Sequence, residues 1–136
     1  MAAKSKGIVR AISDLIGPEN VLHEPEDMLV FEYDASIDRA IPQAVVLPSS
    51  PEQISAIVRL ANAYGIPITP RGAGTGLSGG ALAVKGGIVI GTSRMNRVLE
   101  IDPVNQPAVV EPGLVNIKLT EQPATHGLHY VHDVST

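Results

Sequence analysis

Cysteine and tryptophan are absent from this 136-residue sequence, and Phe31, Tyr33, Tyr64 and Tyr130 are its only aromatic side chains. Without cysteine there is no disulfide framework, no thiolate metal site and no thiol nucleophile. A nucleic-acid module ordinarily carries a basic excess and stacking aromatics. Here the net charge is −4 and rings are scarce, so nucleic acid is excluded as a partner. No apolar run approaches the roughly 20 residues of a membrane-spanning helix, and no membrane insertion is expected. The opening Met1-Ala2-Ala3-Lys4-Ser5-Lys6 has no apolar stretch of a secretion signal, which makes the cytoplasm the expected compartment. Glycine, by contrast, is plentiful, and five of the 13 fall between Gly72 and Gly80.

Those glycines belong to one stretch, Pro70-Arg71-Gly72-Ala73-Gly74-Thr75-Gly76-Leu77-Ser78-Gly79-Gly80, directly after the apolar run Ile66 to Thr69. Where no Cβ intervenes, successive main-chain N–H groups can turn inward and form a nest for an anion such as phosphate or pyrophosphate. Arg71 adds a planar fork of donors with a permanent charge, and Thr75 and Ser78 add hydroxyls. A flexible linker also uses glycine, but Arg, Thr and Leu interleaved at these positions are not linker composition.

Ile8, Val9, Ile12, Leu15 and Ile16 repeat at helical spacing until Gly17-Pro18 stops them. From Asn20 to Asp34 the pattern is mixed, and Glu24, Glu26, Asp27, Glu32 and Asp34 read as a solvated acidic face. Asp34-Ala35-Ser36 leads through Ile41-Pro42 into a first strand, Ala44 to Leu47. Ser50-Pro51-Glu52-Gln53 then combines an N-cap serine, proline at the first helical position and a capping-box glutamine. Ile54, Ile57, Val58, Ala61 and Tyr64 mark the buried face of that helix, and Gly65 closes it. With Ile66 to Thr69 as the second strand this is a βαβ unit, two parallel strands joined by a right-handed crossover. The glycine stretch therefore leaves the carboxyl end of a parallel strand, where open α/β sheets place their ligands.

A third strand, Ile88 to Gly91, follows Gly86-Gly87. Val98 to Ile101 and Ala108 to Glu111 flank a Pro- and Asn-bearing turn and read as a β-hairpin. Pro112-Gly113 breaks it, and a helix beginning at Val115 runs to Thr120 before Pro123. The expected fold class is α+β with an α/β-like first lobe: a small three-stranded parallel sheet with flanking helices, then a β-hairpin starting a second sheet. Residues 1–136 read as a single domain, with 1–43 as the N-terminal helix and lead-in and 44–136 as the ligand-binding lobe.

Gly74-x-Gly76-x-x-Gly79 has the letters of a dinucleotide fingerprint, which works only where the loop opens a helix. Gly86-Gly87 arrives seven residues after Gly79, too soon for a crossover helix. No Lys-Ser or Lys-Thr pair follows the glycines, which excludes a P-loop. His126, His129, His132 and Asp133 carry metal-ligating side chains, but without a helix to align them they read as solvent-facing. Arg94 and Arg97 read as surface charges and Asp102-Pro103 as turn chemistry. No catalytic acid or base and no metal ligand is singled out.

Pro70 to Ala81 resembles the FAD pyrophosphate loop of the flavoproteins related to p-cresol methylhydroxylase and vanillyl-alcohol oxidase. Within them it is most similar to the glycolate oxidase FAD subunit and the D-lactate and other D-2-hydroxyacid dehydrogenases. The flanks agree in order: Leu47-Pro48, Ser93-Arg94-Met95-Asn96-Arg97, Glu100-Ile101-Asp102-Pro103 and Val110-Glu111-Pro112-Gly113, a resemblance spanning Ala44 to His132. It implies cofactor binding by Pro70, Arg71, Gly72, Ala73, Gly74, Thr75, Gly76, Leu77, Ser78 and Gly79, largely through main-chain N–H groups on the FAD diphosphate. Relatives with a covalent flavin have a histidine where this chain has Thr75, so non-covalent FAD is implied.

The resemblance further implies a flavin-dependent 2-hydroxyacid dehydrogenase of which this chain looks like a truncated N-terminal lobe. A small 2-hydroxy acid would be bound only in the complete enzyme. Val131 to Thr136 departs from the proline-rich segment that lines the flavin in the family, so Asp133 and Ser135 receive no assigned contact. Two other readings stand beside this one. The lobe could bind no cofactor tightly and instead self-associate as a homo-oligomer, or pair with a missing partner, over exposed apolar surface. It could also bind some other phosphorylated ligand.

Overall fold

The computed structural model describes residues 2–32 and 39–116, together with Leu119. Along the chain come α1 (Ala2–Ile16), β1 (Val21–Leu22), the short α2 (Pro25–Met28), β2 (Ala44–Val46), α3 (Pro51–Tyr64), β3 (Ile68–Arg71), β4 (Ile88–Gly91), β5 (Val98–Ile101) and β6 (Ala108–Val110). Ile8, Ile12 and Ile16 lie on one stripe of α1 and are buried, as their fourfold spacing dictates. Helix α3 begins where its caps place it. The Ser50 hydroxyl accepts from the Gln53 N–H at 3.3 Å, and Gly65 ends the helix in the left-handed region at φ 64°. One detail of the capping box differs. The Gln53 carboxamide oxygen accepts from the main-chain N–H of Ser49, at 2.8 Å, and not from that of Ser50, so the reciprocal bond is displaced by one residue.

The main sheet has the order β1-β2-β4-β3. Strands β2, β4 and β3 are parallel, with Val45 opposite Val89 and Thr69 opposite Val89 on its other side. The expected three parallel strands are present, and the sheet is widened by an antiparallel edge, β1, whose Val21 faces Val46. That edge comes from the segment read as mixed. Strand β4 also separates the two strands of the βαβ unit, which are parallel but not adjacent.

Alternation along the strands makes two cores. Val46, Ile88 and Ile90 meet Ile8, Ile12, Ile57 and Ala61 of α1 and α3 on one face. Val45 and Val89 meet Met28 and Ala83 on the other, with Leu22, Phe31 and Leu47 packed alongside. Strand β3 is the second edge. The N–H groups of Ile88 and Thr92 donate to the carbonyls of Pro67 and Arg71, so the alternation of a parallel ladder leaves the Pro70 nitrogen on the outer side.

Strands β5 and β6 form the expected antiparallel hairpin, with a register shift between Val98 and Glu100. The Asp102 carboxylate accepts from the main-chain N–H groups of Val104 and Asn105 at 2.9 and 3.1 Å, which confirms turn chemistry there. Glu24, Glu26 and Asp27 are exposed, while Glu32 is largely covered and lies 3.8 Å from Arg39. Most of the helix expected from Val115 to Thr120 lies outside the described residues, as do Tyr33, Asp34, Tyr130, the three histidines from His126 onward, Asp133 and Ser135.

The capping geometry makes a contrast. Ser50→Ala removes a side-chain acceptor and should lower stability by about 1 kcal/mol. Ser49→Ala keeps the main-chain donor that Gln53 uses, loses only the exposed 3.2 Å bond from the Ser49 hydroxyl to the same oxygen, and should shift the urea midpoint less than Ser50→Ala does.

Candidate functional site

Because β3 and β4 are parallel neighbours in register, Arg71 and Gly91 end side by side. The segments that leave them, Gly72 onward and Thr92 onward, therefore start from one edge of the sheet. A third segment joins them after β6. Gly72, Ala73, Thr75, Thr92, Ser93 and Pro112 to Asn116 line a concavity of about 360 Å³. That volume lies within the range of small-molecule sites, ~300–1,000 Å³. From Gly72 to Ala81 no main-chain N–H donates to a main-chain carbonyl among the described residues, and the first that does is Leu82, to Gly79 at 3.1 Å.

The ten residues expected at the site occupy the end of β3 and the loop that leaves it. Gly72, Ala73 and Thr75 border the concavity. Pro70 and Arg71 belong to β3, and Arg71 is buried under the loop at 8% exposure. Gly74 lies over the Arg71 guanidinium with φ +75°, and an added Cβ would come 2.6 Å from Arg71 Cζ. A Cβ on Gly76 would meet nothing within 4 Å. Leu77 and Ser78 are exposed, and the Gly79 carbonyl caps the turn to Leu82. Thr92, Ser93 and Pro112 to Asn116 were not expected as lining residues. Their signal is positional, since the first pair follows a parallel strand directly and the second group follows the Pro112-Gly113 break.

The segment from Pro112 onward is held by close packing and by one ion pair. The Gly113 N–H donates to the Met95 carbonyl at 2.8 Å. There is no room for a side chain at Gly113, since a Cβ would lie 2.6 Å from the Thr92 carbonyl carbon. Arg97, expected as a surface charge, also grips Glu111 from two directions. Its Nη2 and Nε donate to Glu111 Oε1 at 2.7 and 3.1 Å, and its main-chain N–H donates to Oε2 at 2.8 Å. Glu111 is buried, whereas the Arg97 side chain is mostly exposed. Arg94 is exposed, as expected. Among the described residues no three of His, Cys, Asp and Glu cluster closely enough to hold a metal ion. No described helix is long and apolar enough to cross a membrane.

The Arg97 side-chain bonds, followed by its main-chain N–H, hold the Glu111 carboxyl below its ordinary 4.5. A carboxyl lowered in the folded state contributes stability that is complete above the unfolded value and is lost as pH falls through the folded one. Acid titration should therefore show a stability loss beginning below about pH 4.5. Glu111→Gln should be less stable at neutral pH and should flatten that limb, measured by urea unfolding at a series of pH values.

Residues 42–136 match the family described as FAD binding domain. Over 130 residues the chain is 36% identical to the glycolate oxidase subunit GlcD of Escherichia coli (strain K12), covering 95% of this chain and 26% of that protein. It is 34% identical over 130 residues to a D-2-hydroxyglutarate dehydrogenase of Stutzerimonas stutzeri (strain A1501), with 95% and 28% covered. A crystal structure of p-cresol methylhydroxylase with substrate bound superposes with a TM-score of 0.85 at 25% identity, over 94% of this chain and 26% of that one. The chain spans about a quarter of the length of the proteins it matches.

Proposed function

The chain belongs to the FAD-binding domain family of p-cresol methylhydroxylase type, and from that premise we propose that its glycine loop holds the FAD diphosphate in a flavin-dependent 2-hydroxyacid dehydrogenase. FAD is the cofactor of the family. One observation carries the assignment to the loop: the run of main-chain N–H groups from Gly72 to Ala81 without main-chain acceptors, beside a concavity at the carboxyl ends of β3 and β4. Such donors suit an anion, and a parallel-sheet edge of this kind is where α/β folds bind ligands. Gly72, Ala73, Thr75, Thr92 and Ser93 are the residues that would surround it. Thr75 offers a hydroxyl and no nucleophilic ring nitrogen, which supports a flavin held without a covalent bond. The flavin supplies the redox chemistry when bound, and the part of the enzyme described here supplies anchorage and orientation. The hydroxy acid, of glycolate or D-lactate type, is assigned to the complete enzyme, which we place in the cytoplasm.

Adding FAD to the purified chain should give a yellow protein after gel filtration, with quenched flavin fluorescence. An added Cβ at Gly76 meets nothing within 4 Å, so Gly76→Leu should weaken FAD binding at least about tenfold, the scale of one lost polar contact, with an unchanged melting temperature. Retention of full affinity by Gly76→Leu rejects the loop assignment.

A second reading is favoured by the hairpin, where Leu99, Val104 and Val109 are exposed at 57%, 86% and 49%. This is apolar surface that a second copy or a further part of the enzyme would cover. Sedimentation velocity should show mass rising with concentration, and Leu99→Lys with Val109→Lys should abolish the rise.

A further inference from the structure

We infer that Arg71 is the positioning residue of the loop, locked by Phe31 against Gly74, and that it sets the loop's shape without being a ligand of the phosphate; this rests on the diphosphate reading given above. Arg71 pairs with Gly91 in β3, two residues beyond the Thr69–Val89 pair, so it shares the sheet face that carries Val45 and Val89. Its guanidinium is not among the groups that line the concavity. The Arg71 Cζ lies 5.6 Å from the centre of the Phe31 ring. The main chain of Gly74 also lies against it, so close that an added Cβ would stand 2.6 Å from Cζ and 3.1 Å from Nε. The guanidinium is thus in contact with both an aromatic ring and the glycine backbone. A planar guanidinium can stack on a ring, and the tetrahedral ammonium of lysine cannot.

Phe31 is itself anchored, packing against the cluster of Met28, Val45, Ala83 and Val89. It is the only phenylalanine in the sequence. The segment before β2 and the glycine loop are therefore coupled through one side chain. The positive φ of Gly74 and its missing Cβ both serve this close approach.

Phe31→Leu tests the coupling, since it changes no charge and no loop residue. FAD affinity, read by flavin fluorescence, should fall roughly tenfold, the scale of a desolvated cation–π contact. Phe31→Tyr should restore it, and Arg71→Lys, which keeps the charge but not the plane, should fall as Phe31→Leu does. In the flavin-free chain, the amide cross-peaks of Gly72 to Gly79 should move in Phe31→Leu and Arg71→Lys while those of α3 stay in place. Wild-type affinity in both Phe31→Leu and Arg71→Lys, with loss only in Arg71→Met, would overturn the inference in favour of a direct phosphate contact. Unmoved loop cross-peaks would overturn it as well. Should the unaltered chain bind no FAD, the diphosphate reading fails, and the cross-peaks alone decide the stack.

Discussion

Two neighbouring parallel strands, β3 and β4, are joined without a helix, and the shape of the site follows from that constraint. A chain that leaves one parallel strand must travel back along its length before entering the next. Here residues 72–87 make that journey as irregular backbone, whose polar groups need partners that no helix provides. The return leg finds them locally: Leu82 and Ala83 are buried, and the Gly86 N–H donates to the Ala83 carbonyl at 2.7 Å. The outgoing leg leaves its donors facing away from the ladder. One connection thus divides into a packed half and a half with bare donors.

The same division runs through the two faces of the sheet. On one, α1 and α3 close a core of branched aliphatic side chains, with Ile8, Ile12, Ile57 and Ile88 essentially inaccessible. On the other, the cover is the short α2, the following turn with Phe31, and the loop's own Ala83. The loop is therefore part of what it rests on. That cover is smaller, with four buried residues in its cluster against nine on the other face.

Helix α3 was legible because its signals are local: a capping serine, a proline one residue later, periodic aliphatics and a closing glycine. The glycine loop was legible from composition and from the strand before it. Strand β1 was not, since two residues carry no period, and what makes them a strand is pairing with Val45 and Val46. Arg71 was read as a loop donor because it abuts the glycines. Alternation with Thr69 could have turned it toward the sheet face, but the ring that receives it comes forty residues earlier, a contact no spacing rule supplies. The Arg97–Glu111 pair was within reach of the hairpin alignment, as it lies one step beyond the Val98–Val110 pair.

Proline at position 70 has a consequence beyond the loop it introduces. An outermost strand with bare donors and acceptors is a template on which identical chains can stack into fibrils. Strand β3 is four residues long, and its imino acid removes a donor from the outward-facing row. The opposite margin is closed by a strand of only two residues. Both rims of the four-stranded sheet are therefore poor templates for pairing with a second copy.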